Sequence, residues 1–550
     1  TPGGLMQPAA PPLDVTPEEL EALLEGVREA LGEAGYQKLK AAIRTLSYVT
    51  QLLENREATL QTLRRLLCQA RTEKTEAVLQ QAGIEGSPTK RRPAAAAAAK
   101  HPAAGHGRNG AEAYRGARRV EVQHASLHHG DRCPECQRGK VYPLHDPGLL
   151  VRMKGQAPIA ATVYALEKLR CNLCGETFTA VAPEGVGEEK YDATTASMIA
   201  LLRYGSGFPW NRLERLEESL GIPLPAATQC EIVAEAAAAI QPAMAELIGH
   251  AAQGDVLHND DTSMPVLALR RDARHEDVHT EDDATERTGV FTSGIVSTAH
   301  GQHIALFFTG RQHAGENLAD VLKQRAAELA PPIQMCDALS RNLPKLPEKL
   351  EVIVGHCLAH ARRRFVEVTP NFPEECRHVL EQLGEVYSHD ARAREQGMMP
   401  EERLCLHQLH SGPVMDQLHV WLTAQFAEKK VEPNSGLGMA IRYLLKHWER
   451  LTLFLRQAGA PLDNNICERA LKKAILRRKN SLFYKTENGA RVGDLFMSLI
   501  HTCELCGANP FDYLTELQRH AAELARNPSP WMPWNYRATL PQSGIGVDSG

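Results

Sequence analysis

No run of about 18 or more apolar residues occurs anywhere in the 550-residue sequence, so no membrane-spanning helix is expected. The opening "TPGGLMQPAAPPLD" lacks a basic segment ahead of an apolar core, and no secretory signal peptide is expected from it. Thirteen cysteines without such a signal argue against a secreted disulfide framework and for the reducing cytoplasm. The chain also lacks a net positive charge: its formal charge is −5 and its pI is near 6.5, which does not by itself indicate a nucleic-acid partner.

What is there is locally uneven. Eight Lys or Arg and one acid, Glu112, fall between Lys90 and Val120, and six basic residues follow Glu468 as far as Lys479. Such patches matter more to a polyanion than the overall sum. Residues 1–86 read as a helical, coiled-coil-like N-terminal region, with Thr16 and Glu19 forming a capping box. Its leucine spacing suits either an oligomer seam or an amphipathic helix packed within its own domain. A basic Ala/Pro/Gly-rich linker covers 87–119 and a module of short strands 120–185. A helical, helix–turn–helix-like region follows at 186–252. From 253 to 365 three strand-like runs, a helix, two more strands and another helix predict a mixed α/β sheet. Residues 366–460 read as a helical insertion, 461–528 as further helices, and 529–550 as a loosely ordered tail.

Two constellations carry chemistry. Cys133/Cys136 ("CPEC") and Cys171/Cys174 ("CNLC") supply four thiolates on two tight turns, the donor set of a structural zinc site, although the gap 137–170 is long for a zinc ribbon. A third pair, Cys503/Cys506, sits in an apolar helical stretch and reads as core thiols. Asp260 and Asp337 end strand-like runs, and Glu468 stands in an early helical turn. Three carboxylates on separate elements could hold two Mg²⁺ ions for phosphoryl transfer. Strand alternation sends Asp260 and Asp261 to opposite faces, but period alone does not choose between them.

The blocks "HNDDTSMPVL", "IQMCDAL", "GHCLAHARRRFVEV" and "LDNNICERALKKAILRRKNSLFYKTENGA" resemble the signature blocks of the IS66-family transposases. The likeness runs in order from the leucine-rich N-terminal helix to "YLTELQRHAAELARNPSPWMPWNY". Ser263 and Met264 depart from it, standing before Pro265 where the family has Asp-Glu/Asp-Thr-Pro, and so does the acidic insertion 272–288. The resemblance implies a multidomain α+β DDE transposase with an RNase H-like catalytic domain. It implies Asp260, Asp337 and Glu468 as the catalytic triad and the ligands of Mg²⁺ or Mn²⁺. It places Asp261 in support, with His360 as a group behind the ligands, a DNA contact or a structural histidine. Arg469, Lys472, Lys473, Arg477, Arg478 and Lys479 would meet phosphates, as would Arg362, Arg363 and Arg364. The implied activity is cleavage at the terminal inverted repeats and transfer of the 3′-hydroxyl ends into target DNA. At least a dimer is expected on DNA, acting at the nucleoid, with accessory element-encoded proteins as further partners. The alternatives are a transposase-derived DNA-binding protein that no longer cuts and an RNase H-like nuclease without strand transfer.

Overall fold

A computed structural model describes residues 36, 126–142, 156–170, 177–187, 189–269 and 289–540. The chain divides into two units, Thr1–Glu85 and Gly86–Gly550. Of the first, only Tyr36 is described. The expected coiled-coil-like helices, the basic linker and the acidic loop 272–288 therefore lie outside the described residues, as does the chain beyond 540.

In the second unit, β1 (Lys168–Arg170) and β2 (Thr177–Thr179) form a small antiparallel pair. Helix α1 (Ala193–Ala200) starts where the Asp192 carboxylate accepts the N–H of Thr195 at 3.0 Å, a side-chain cap for an otherwise unpaired donor. It is followed by α2 (Trp210–Ser219) and α3 (Ala226–Ala252). Helix α3 has the length and composition of a membrane span, yet Val233, Ile240 and Leu247 are fully buried in the apolar cluster that also contains the main sheet. It is a core helix by its packing.

The main sheet has five strands: β3 (Val256–Ser263), β4 (Phe291–Ala299), β5 (Gln302–Gly310), β6 (Ile333–Cys336) and β7 (Ile353–His356). Their order is β5-β4-β3-β6-β7. The first three are antiparallel, and β6 and β7 run parallel to β3. Helix α4 (Ala314–Leu322) lies between β5 and β6 in the chain, and α5 (Leu358–Val368) follows β7. The insertion supplies α6 (Pro373–Glu395), α7 (Pro400–Leu406), α8 (Gly412–Ala427) and α9 (Gly436–Lys446). Val379, Leu383, Met415, Leu418 and Ile441 are fully buried there, as is Phe365 on α5, all outside the cluster around the sheet, so the insertion has a core of its own.

The chain then returns to the sheet with α10 (Asn465–Ser481), α11 (Glu487–Cys506), α12 (Pro510–Arg519) and α13 (Ala521–Arg526). Strand β5 is an edge, and its N–H groups would be unpaired without a partner. Helix α11 supplies one. Thr502, Ser498 and Asp494, spaced four apart on one helix face, accept from the N–H groups of Ala305 (3.1 Å), Phe307 (2.9 Å) and Thr309 (2.6 Å). Cys503 on the same helix is a buried core thiol, and Cys506 donates to the His303 carbonyl.

Helix α10 lies across β3 and β4, and a glycine sets how closely. Gly294 pairs with Asp260, and a Cβ at 294 would stand 3.0 Å from Leu471 and 3.5 Å from the Cys467 sulfur. Gly294→Val should lift α10 from the sheet and cost about 1–3 kcal/mol, read from urea denaturation. An unchanged midpoint would mean that α10 has slack at this point.

Candidate active site

The parallel register of β3 and β6 pairs His258 with Met335, and carried two residues further it sets Asp260 level with Asp337. One amide spans the two carboxylates. Asn342 donates to Asp337 at 2.6 Å and to Asp260 at 3.3 Å. The Asn342 backbone carbonyl in turn accepts from the buried side-chain amides of Asn259 and Gln334, each at 2.7 Å, and Gln334 also donates to the Asn259 side chain at 2.8 Å. These bonds fix the short turn Ser340–Asn342 beneath the acidic pair. Burial, with the charge of Asp337 adding to it, pushes the Asp260 carboxyl up to about 7.

Asp261 points elsewhere. Its carboxylate, 1% exposed, meets His313 Nδ1 at 2.8 Å and Arg341 Nη2 at 3.3 Å. The neighbouring aspartates thus divide into one that faces the second acid and one that is held by two basic groups.

Glu468 arrives on the first turn of α10, where the helix dipole favours a carboxylate. Asn464, just ahead of that helix, anchors it to β3. Its Nδ2 donates to the Asn259 carbonyl at 3.1 Å, which leaves Oδ1 to accept from Nδ1 of His258, also at 3.1 Å. Burial holds His258 near 4, so its ring is neutral at ordinary pH. The Asn464 N–H reaches the buried Cys357 sulfur at 3.2 Å, and the Leu358 N–H bonds the Leu462 carbonyl at 3.0 Å, so the starts of α5 and α10 are joined. Across this junction Glu468 Oε1 lies 3.6 Å from His360 Nδ1, and Oε2 lies 3.9 Å from Arg363. Donor atoms of Cys357, His360 and Glu468 all fall within 4.8 Å of one another, close enough to share a metal ion.

A cleft of about 290 Å³ opens between Asp337 and His360 and is also lined by Arg363, Arg364, Glu367 and Tyr443. Tyr443 comes from α9 and stacks under the Arg364 guanidinium at 3.9 Å, so the helical insertion forms one wall. The basic residues read from the sequence divide three ways. Arg469, Lys472 and Lys479 are exposed. Lys473 is paired with Glu504 at 2.7 Å, and Arg478 bonds Thr262 Oγ1 at 3.1 Å and Ser263 Oγ at 2.6 Å, tying α10 to the end of β3. Arg477 is 4% exposed with its guanidinium 3.7 Å from the Tyr484 ring, and Arg362 is also buried. Neither of these two presents its charge at the surface.

Cys133 and Cys136 lie on a turn in which Cys133 accepts the N–H of Gln137 and donates its own to Gly139. Backbone N–H groups of Gly139 and Arg138, with the Cys133 side chain, pull the Cys136 thiol below its usual range. Cys171 and Cys174 fall within 171–176, outside the described residues. Sequence reasoning passed over Asn342, Asn464, Cys357 and Tyr443. Asn464 and Cys357 both stand inside quoted blocks, but the resemblance gives neither a role.

A mixed sheet with two carboxylates level on neighbouring parallel strands, and a third on a helix crossing that sheet, defines an α+β protein with an acidic centre beside a basic cleft. The family model described as "Transposase IS66 family" matches residues 189–492, more than half of the chain and the whole of that centre. The chain belongs to the IS66 family of transposases. It is similar to three uncharacterised proteins of Sinorhizobium fredii. With y4jD it is 34% identical over 34% of this chain and 36% of the relative. With y4hP it is 25% identical over 68% and 67%, and with y4qI 24% identical over 62% and 61%. The first match spans about a third of its relative's length, and the others about two thirds and three fifths.

Proposed function

We propose that the chain is a DDE transposase that hydrolyses phosphodiesters at the ends of its element and then joins the freed 3′-hydroxyls to target DNA. The observation that carries this reading is the pairing of Asp260 and Asp337 under one shared amide, with Glu468 brought over the same strand. The strand order, three antiparallel and two parallel, supports reading the sheet as RNase H-like.

The residues suit divalent metal. Asp260 is pushed up to about 7 by burial and by its acidic neighbour, and Glu468 Oε1 is buried without a hydrogen-bond partner, so a cation would relieve both. Asp260, Asp337 and Glu468 would hold Mg²⁺ or Mn²⁺, which when bound supplies charge for the developing oxyanions and a deprotonated nucleophile. The chain's own part is positional. Asn342 fixes the two aspartates, Asn464 fixes the helix bearing Glu468, and Asp261 with His313 and Arg341 stiffens the end of β3. Arg469, Lys472 and Lys479 would take DNA phosphates, with Arg363 and Arg364 doing so inside the cleft. The protein would act in the cytoplasm at the nucleoid, as at least a dimer when two ends are joined.

Full-length protein incubated with fragments carrying its own element ends and Mg²⁺ or Mn²⁺ should give nicked and then joined products. Binding with neither product overturns this reading in favour of a DNA-binding protein. Nicks without joining would leave a nuclease.

The four cysteines Cys133, Cys136, Cys171 and Cys174 would hold one structural Zn²⁺. Purified protein should carry about one zinc per chain by elemental analysis, and the double replacement Cys133→Ser/Cys136→Ser should lose it. Zinc well below one per chain in the wild type rejects the assignment.

A further inference from the structure

Between the starts of α5 and α10 a contact is left unfinished. His360 Nδ1 and Glu468 Oε1 face each other at 3.6 Å, too far for a hydrogen bond, and both atoms are buried with no other hydrogen-bond partner. Buried polar atoms are almost always satisfied, so a facing pair of orphans marks a place where something sits between them. Two neighbouring ligands about 2.1 Å from one ion stand roughly 3.0 Å apart in octahedral and ~3.4 Å apart in tetrahedral geometry, and the observed separation is within a few tenths of that range.

The pair is held in place from behind. His360 is on the first turn of α5 and Glu468 on the first turn of α10. The Cys357 sulfur accepts the backbone N–H of His360 and, at 3.2 Å, that of Asn464, so one atom ties the two helix starts together. Engaged by two N–H groups, that sulfur positions the helices, and the histidine and the glutamate are left to face the ion. The second carboxylate oxygen of Glu468 turns to Arg363 at 3.9 Å, so the two oxygens have separate neighbours.

We propose that the metal ion bound by Glu468 takes His360 Nδ1 as an additional ligand, giving this side of the centre a mixed nitrogen and oxygen donor set. The proposal rests on the reading of Asp260, Asp337 and Glu468 as a metal centre. An imidazole ligand favours Mn²⁺ and the later first-row ions over Mg²⁺, which prefers oxygen.

The test uses full-length protein without DNA and reads binding and spectroscopy instead of turnover. Mn²⁺ bound to the wild type should show, by pulsed electron paramagnetic resonance, the nuclear modulation of a directly coordinated imidazole nitrogen. The modulation should shift on ¹⁵N-histidine labelling and vanish in His360→Gln. His360→Gln should also weaken Mn²⁺ binding about tenfold or more and Mg²⁺ binding much less. Mn²⁺ that binds, and is lost in Asp337→Asn, but shows no nitrogen coupling in the wild type overturns the ligand role of His360 and leaves the carboxylate centre standing. Wild type that binds no Mn²⁺ overturns both. Because the coupling is read on the wild type, a His360 variant that fails to fold does not spoil the test.

Discussion

Asp260→Asn should lower cleavage at element ends by about 10³-fold or more, whereas Asp261→Asn should act mainly on stability. The two side chains are adjacent in sequence and differ in what they face. Asp260 shares Asn342 with Asp337 and is raised by burial and by that neighbour, so a neutral amide there keeps the shape and removes the charge a cation needs. Loss of one metal-holding carboxylate at a phosphoryl-transfer centre removes several kcal/mol of transition-state stabilisation, and each 1.36 kcal/mol is about tenfold in rate. Asp261 is already matched by His313 and Arg341. Neutralising it strands two basic groups at the end of β3, a loss of about 3 kcal/mol if both stay desolvated and less because Arg341 is partly exposed. Gel assays of end cleavage beside thermal melts separate the two variants. If Asp261→Asn kills cleavage in a protein that melts normally and Asp260→Asn does not, the ligand moves by one residue.

The second large effect is a pH dependence that runs against the usual direction for carboxylates. Asp494 is fully desolvated on α11, and burial pushes it up to about 7 although Thr309 donates to it twice. A carboxyl raised in the folded state above its unfolded value of 3.8 contributes most below that value. Its contribution is lost as pH rises towards 7, because the folded chain must release a proton it holds more tightly. His258 and His356, both held near 4 by burial, act with the opposite slope between about 4 and 6.5. Asp260, raised likewise, adds to the slope of Asp494, so the wild-type curve sums several opposing groups and the informative quantity is the difference from Asp494→Asn. The asparagine amide can accept the Thr309 N–H and donate to its hydroxyl, as the neutral acid does. The variant should gain on the wild type as pH climbs from 4 to 7, by on the order of 4 kcal/mol in total, and then level off. Denaturant titrations at pH 4.5, 6 and 8 read it directly. A difference independent of pH would mean that Asp494 is ionised in the folded protein.

How much of this was legible in the sequence follows from which forces leave a period. The five strands of the main sheet are short apolar runs between turns, and such runs announce themselves. The helix carrying Glu468 was visible too, yet Arg477 was counted with its cations although it continues the series Cys467, Ala470, Leu471, Ala474, whose members are buried. Three- and four-residue spacing placed it on the inner face, and charge drew attention away from that. Asn342 and Asn464 left no such trace. Their partners lie far away in the chain, and a lone amide has neither a period nor a charge to mark it. The three acids could be proposed from sequence, while the amides bonded around them could be found only in the fold.

The ladder of Asp494, Ser498 and Thr502 along β5 has a consequence for assembly. A sheet margin already saturated by hydroxyl and carboxyl groups cannot recruit a strand from a second molecule without first peeling away a buried helix. Two copies of the chain are thus barred from zipping together through β5, and the same seal guards the folding chain against runaway strand exchange.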